Sequence, residues 1–92
     1  MIRTFKHRGL ERFFKQGDHR GIIAKSEVRT ERILDRLDAV PKPEDMNIPG
    51  FKFHALSGDR KGAYAVTVTG NWRITFRFDG EEAIDVDLED YH

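Results

Sequence analysis

The sequence predicts a small α+β domain spanning residues 1–92, ordered β-α-α-β-β-β-β, with two N-terminal helices packed on a mainly antiparallel sheet. Three observations predict it. Apolar residues recur at helical spacing through residues 8–40, whereas from residue 51 onward they alternate with polar ones. The alternating segments are joined by Gly70-Asn71 and Asp79-Gly80, pairs suited to tight hairpin turns.

Ile2 to Phe5 reads as a short first strand. Arg8 to Gln16 follows with Leu10, Phe13 and Phe14 on one stripe, and Gly17 is placed to end the helix in a left-handed conformation. A turn around Gly17 to Gly21 leads to a longer helix whose apolar stripe is Ile23, Thr30, Ile33, Leu34, Leu37 and Val40. Ser26 is a candidate cap for its start, and Pro41 and Pro43 stop it. Residues 41–50 form a loop. Strands are then expected at Phe51 to Leu56, Ala63 to Thr69, Trp72 to Phe78 and Ala83 to Leu88. In the third of these, Trp72, Ile74, Phe76 and Phe78 fall on one face, while Asn71, Arg73, Thr75 and Arg77 fall on the other. In the fourth, Ile84, Val86 and Leu88 are expected to face inward and Asp85 and Asp87 outward.

A chain of 92 residues buries only about 60–65% of its unfolded surface, so nearly every element must share one core. Seven phenylalanines and 38% apolar residues suffice for that. With no cysteine, disulfides and thiolate sites are excluded. The segment MIRTFKHRG lacks the apolar stretch of a signal peptide, and no more than four apolar residues run together, so the expectation is a cytoplasmic protein with no membrane partner. A net charge of zero conceals an asymmetry: residues 1–40 carry +4, residues 41–78 carry +3, and residues 79–92 carry −7. The field near a site matters more than the sum, so the basic body can still meet a polyanion. Equally, the acidic last strand can pair with basic neighbours in the sheet.

Four groups bear chemistry. His54 lies mid-strand, opposite in phase to Phe51 and Phe53; a hydrogen-bonded structural histidine would look the same. The loop Ser57-Gly-Asp-Arg60-Lys61-Gly62 is basic and bounded by glycines that let backbone approach a phosphate, though many hairpin loops share that form. Neither of the glycine-rich nucleotide-binding patterns occurs. Arg73 sits between apolar neighbours, where a charge needs either a cleft or an acid such as Asp85 or Asp87. The tail Asp90-Tyr91-His92 offers a carboxylate, a phenol and an imidazole directly after an apolar strand. Were these groups to converge, two histidines, an aspartate, a tyrosine and arginines, with no metal-ligand spacing, would suit phosphodiester cleavage by a 2′-hydroxyl. That reaction needs a base, an acid and cations on the phosphorane.

The runs Pro43 to Gly50, His54 to Gly62 and Gly70 to Phe78, with the terminal Asp90-Tyr91-His92, resemble the HigB toxins of the RelE/ParE superfamily. The resemblance covers essentially the whole chain. It implies a RelE-like fold and a metal-independent, cofactor-free endoribonuclease that cuts mRNA in the A site of the small ribosomal subunit and so inhibits translation. It also implies a HigA-like helix-turn-helix antitoxin as partner, with DNA reached only indirectly through that antitoxin. Carried over position by position, His54, Asp90, Tyr91 and His92 match catalytic positions. Arg73 matches a strand arginine near the scissile phosphate, and Ser57, Arg60 and Lys61 fall in the phosphate-binding loop.

One departure bears on mechanism. Where many HigB sequences carry a catalytic lysine, this chain has Ser57, which supplies no positive charge. Either Arg60 or Lys61 substitutes for it, or cleavage is slower or differs in its substrate demands; the expectation is that Arg60 partly replaces the charge. A different reading is a ParE-like toxin that binds DNA gyrase and cuts no RNA. A gyrase binder has no need of His54 with Asp90-Tyr91-His92, and that set favours the nuclease.

Overall fold

In the computed structural model, which describes residues 1–91, an extended arm leads into the first helix. The expected first strand is this arm, lying parallel to the last strand through bridges Ile2–Ala83 and Phe5–Val86. Helix α1, Arg8–Gln16, starts where the His7 Nδ1 accepts the Leu10 N–H at 3.0 Å, and it ends at Gly17, whose φ of 71° is left-handed. His7 is thereby a structural cap. Helix α2, Glu27–Ala39, follows a single 3₁₀ turn at Ala24–Ser26, so Ile23 lies outside it; Ser26 precedes the helix without a side-chain capping bond.

The sheet is β1 (His54–Ala55), β2 (Ala63–Thr69), β3 (Trp72–Asp79) and β4 (Glu82–Asp90), in that spatial order and antiparallel throughout. Leu10 of α1 and Ile33, Leu34 and Leu37 of α2 are wholly buried with Val66, Val68, Ile74, Phe76, Ala83 and Val86. The helices therefore cover one face of the sheet. Along that face Phe53 stacks on Tyr64 (5.5 Å), Tyr64 on Phe76 (6.0 Å), and Phe78 meets the Phe76 ring edge-on (6.1 Å). The loop after α2 also reaches the core: a 3₁₀ turn at Pro43–Met46 buries Met46 completely.

Two expectations change. The strand expected over residues 51–56 shrinks to His54–Ala55, because Lys52 adopts a φ of 52° and breaks the extension. Phe51 is turned into the core instead, and its carbonyl accepts the Thr67 N–H at 2.8 Å. Arg29 of α2 closes this corner, donating to the carbonyls of Gly50 and Thr67 with its guanidinium 5.5 Å from the Phe51 ring centre. The second change is in β4. Thr75 pairs with Asp87 but Arg77 pairs with Ile84, so β4 carries one extra residue there, with Asp85 at φ 54°. Ile84 is consequently opposite Arg77 on the uncovered face, and Ala83 and Val86 fill the core. The arm holds the bulge in place: Thr4 Oγ1 accepts the Asp85 N–H at 2.8 Å, and Val86 O accepts the Lys6 N–H at 2.8 Å.

The start of α1 is pinned against the turn before α2. A Cβ on Gly9 would lie 2.7 Å from the Gly21 carbonyl oxygen and 2.8 Å from His7 Cε1. Gly9→Ala should therefore destabilise the fold by about 1–3 kcal/mol, the usual cost of overpacking, read as a lower urea midpoint at unchanged slope. An unchanged midpoint would show that this contact yields freely.

Candidate active site

The face of the sheet turned away from the helices is polar, and its rows follow from the register. Residues directly opposite one another in adjacent strands share a face. One row is His54, Ala65, Thr75 and Asp87; the next is Thr67, Arg73 and Glu89; a third is Ala63, Arg77 and Ile84. Small side chains on β2 thus lie between His54 on one side and the charged groups of β3 and β4 on the other. Tyr91 closes the far end, its N–H donating to the Asn71 carbonyl at 2.8 Å.

Arg73 is half-buried and held at its base. Its Nη1 donates to the carbonyls of Gly70 (2.8 Å) and Trp72 (3.1 Å), and its guanidinium lies 5.6 Å from the Tyr91 ring centre. The acid pairing with Asp85 or Asp87 considered from sequence does not form, because the bulge brings Glu89 opposite Arg73. Backbone carbonyls and a ring, none of them charged, thus orient the guanidinium. Arg77 is bonded in the same way, to the Lys61 carbonyl at 3.2 Å.

Arg60 is different. The 3₁₀ turn Gly58–Arg60 begins after Ser57, whose carbonyl accepts the Arg60 N–H, and it delivers the Arg60 side chain over β3 onto β4. There Nη1 and Nη2 donate to Glu89 Oε1 (2.8 Å) and Oε2 (2.5 Å), a two-pronged pair. Thr75, buried in mid-sheet, donates its hydroxyl to Glu89 Oε2 at 2.5 Å. The Arg60 hydrogen bonds hold the Glu89 carboxyl below its ordinary pKa against a smaller opposing effect of burial, and the Thr75 bond and the Lys6 charge add to the lowering. A shallow cleft runs beside this cluster, lined by Lys6, Arg60, Thr75, Arg77, Asp87 and Glu89 among others.

The structure brings Arg60, Arg73 and Tyr91 to one end of the polar face: Arg60 is bonded to Glu89, Glu89 lies opposite Arg73, and Arg73 lies against the Tyr91 ring. It does not bring His54 into contact with them. His54 is exposed on β1, two strands from β3, and strands lie about 4.8 Å apart, so roughly 10 Å separates their backbones. Its Nδ1 donates to the Lys52 carbonyl at 3.1 Å, since a carbonyl only accepts, and the side chain is exposed. Ser57 and Lys61 are exposed at the rim. Asp90 pairs with Trp72, so alternation puts it on the opposite face from Arg73 and Glu89. His92 lies outside the described residues. Among the described residues no group of three or more His, Cys, Asp or Glu side chains is arranged to hold a metal ion, and no helix is long and apolar enough to cross a membrane.

Residues 3–92 match the family described as the RelE-like toxin HigB of type II toxin–antitoxin systems. The chain belongs to that family. It is 39% identical over its whole length, and that of its relative, to the protein of Proteus vulgaris named Endoribonuclease HigB. It is 34% identical over 80 residues to Toxin HigB-1 of Vibrio cholerae, covering 85% of this chain and 84% of that one. A crystal structure of a YafQ mutant from E. coli shares the fold, with a TM-score of 0.53 at 12% identity, over 98% of this chain and 93% of the other.

Three side chains of this toxin's polar face escaped the sequence reading: Glu89, Thr75 as its anchor, and Lys6. Glu89 was hidden by the bulge, which changes the residue count between the Asp79-Gly80 turn and the strand end. Thr75 was visible as the polar residue midway between Arg73 and Arg77. Lys6 carried no signal, because only the parallel docking of the arm brings it to the cleft.

Because the Glu89 pKa is lowered on folding, its stabilising contribution is complete above the unfolded carboxyl value near 4.5 and is lost as pH falls through the lower folded-state value. Urea midpoints of wild type should therefore drop relative to Glu89→Gln as pH is taken from about 7 to about 2. A difference that stays constant across that range would show that the Arg60–Glu89 pair contributes nothing to folding.

Proposed function

We propose that this toxin is a ribosome-dependent endoribonuclease that cuts mRNA in the A site of the small ribosomal subunit. The observation that carries the reading is the polar face itself. Two arginines and a tyrosine stand at one end, an exposed imidazole stands at the other, and small side chains lie between. The Proteus vulgaris relative is named an endoribonuclease, which supports the RNA-cutting part of the reading. Such a face can take a segment of single-stranded RNA, with a base stacked on Tyr91 and the phosphate drawn to Arg73 and Arg60.

In the reaction the 2′-oxygen attacks the adjacent phosphorus, and the bond from phosphorus to the 5′-oxygen breaks. The products are a 2′,3′-cyclic phosphate and a free 5′-hydroxyl. One proton leaves the 2′-hydroxyl and one reaches the 5′-oxygen, so no cofactor or metal ion enters the balance. The two transfers fall to His54 and to Tyr91 or His92 of the tail, with Asp90, which lies on the other face of the sheet, acting only through its neighbours; Arg73 and Arg60 offset the charge that builds on the phosphorane. Since His54 and Tyr91 stand apart on the sheet, the substrate lies between them. Arg60 carries the charge that Ser57 lacks, and Lys61 adds to the field at the rim.

The basic residues 1–40 would meet ribosomal RNA, giving binding that weakens steeply with salt. A HigA-like helix-turn-helix antitoxin would neutralise the toxin in the cytoplasm, and operator DNA would be reached only through that partner.

Mapping mRNA 5′ ends after brief induction, with and without a translation block, tests the reading. Ends should fall within codons, require translation, and disappear in Arg73→Ala and in a chain lacking His92. Intact mRNA during growth arrest would overturn the nuclease and direct attention to gyrase supercoiling. On programmed ribosomes, Arg60→Ala should cut about 10–100-fold more slowly, as a charge-assisted hydrogen bond is worth about 1.5–3 kcal/mol. An unchanged rate would remove Arg60 from the site.

A further inference from the structure

Arg60 comes from a loop on the β1 side of the sheet yet has its guanidinium fixed over β4, and it is fixed there by Glu89 alone among the described residues. Glu89 in turn is tied to the sheet by the Thr75 hydroxyl, a buried group with no freedom to wander. We propose that Glu89 is a positioning residue for RNA cleavage: anchored by Thr75, it clamps Arg60 beside Tyr91 and aims its remaining N–H groups at the substrate phosphate. This rests on the nuclease reading above.

Three observations support it. First, the pair is two-pronged, so it sets the guanidinium plane as well as its position. A guanidinium has five N–H groups; Glu89 engages one on each Nη, leaving the Nε–H and the outer N–H of both Nη for a phosphate. Second, Arg60 remains 44% exposed in its side chain while Glu89 is 23% exposed, so the face left open belongs to the arginine. Third, a carboxylate so bonded is a poor proton acceptor near neutral pH, because Arg60 and Thr75 stabilise its charged form. Glu89 thus acts through Arg60 and exchanges no proton with the RNA. The arrangement also accounts for Ser57: a loop arginine on a longer lever can stand in for a cation at residue 57 only when something holds its far end.

The test is single-turnover and steady-state cleavage of mRNA on programmed ribosomes by wild type, Glu89→Gln, Thr75→Val, Thr75→Ser, Arg60→Ala and the Arg60→Ala/Glu89→Gln double variant. Glu89→Gln should lower kcat roughly 10–100-fold with KM within about 3-fold, because a misaimed group loses most in the transition state. Thr75→Val should lose part of that activity and Thr75→Ser should retain it. The double variant should cut no more slowly than Arg60→Ala alone, since Glu89 has nothing to position once Arg60 is gone. A double variant much slower than Arg60→Ala would overturn the proposal, because it would mean that Glu89 supports the fold or the chemistry by another route. Glu89→Gln at or above the wild-type rate would overturn it too, and would make Glu89 a competitor of the phosphate. If wild type itself leaves ribosome-bound mRNA intact, the nuclease reading falls and this inference with it. If wild type cuts and Glu89→Gln cuts equally well, only this inference falls.

Discussion

The placement of Asp87 and Glu89 on the open face of the toxin's sheet depends on one extra residue in β4. With Asp85 at φ 54°, the strand takes three steps from Ile84 to Asp87 while β3 takes two from Arg77 to Thr75. A one-residue shift in register moves a side chain to the other face of a sheet. Without the bulge, the inward positions nearest the hairpin and those nearest the strand end could not both be apolar: Ala83 would point into the core but Val86 and Leu88 would not. With it, Ala83 and Val86 pack under the helices, and Asp87 and Glu89 come up on the open face beside Thr75 and Arg73. The arm carrying Thr4 and Lys6 bonds across the bulge, tying the first residues of the chain to the same feature.

That geometry settles how the charge asymmetry is used. Much of the acidic strand does pair with basic neighbours: Arg3 bridges Asp79 and Glu82, and Arg60 takes Glu89. Exposed pairs of this kind add little stability, so their effect is chiefly on where the charge sits. Arg73 and Arg77 are oriented on the open face by backbone carbonyls, which carry no net charge. A chain with no net charge can in this way present a locally cationic strip, and such a strip attracts a polyanion whatever the total.

How legible this was depended on the range of the determining interaction. Helix α1 was readable to its last residue, because its stop is local: Gly17 supplies the left-handed conformation. The core face of α2 and the alternation of Trp72, Ile74, Phe76 and Phe78 were readable for the same reason. The strand at residues 51–56 was not, since Phe51 is drawn into the core by contacts with β2 and α2 that no local pattern encodes. Arg73 and the basic loop could be singled out from sequence, whereas the Arg60–Glu89–Thr75 cluster could not, because it joins positions 29 and 14 residues apart across a bulge with no composition signal. That Asp90 lies on the face opposite Arg73 and Glu89 is a consequence of register as well.

The central claim is that the open face cleaves RNA through the substrate's own 2′-hydroxyl. The most direct measurement is cleavage of an mRNA carrying a single 2′-deoxynucleotide immediately 5′ to the scissile phosphate, bound in the A site of purified ribosomes. The account predicts that the all-ribose message yields a 2′,3′-cyclic phosphate end and that the single deoxy substitution abolishes cutting at that bond. Cutting of the deoxy message at the same bond would contradict it, because the nucleophile would then come from elsewhere.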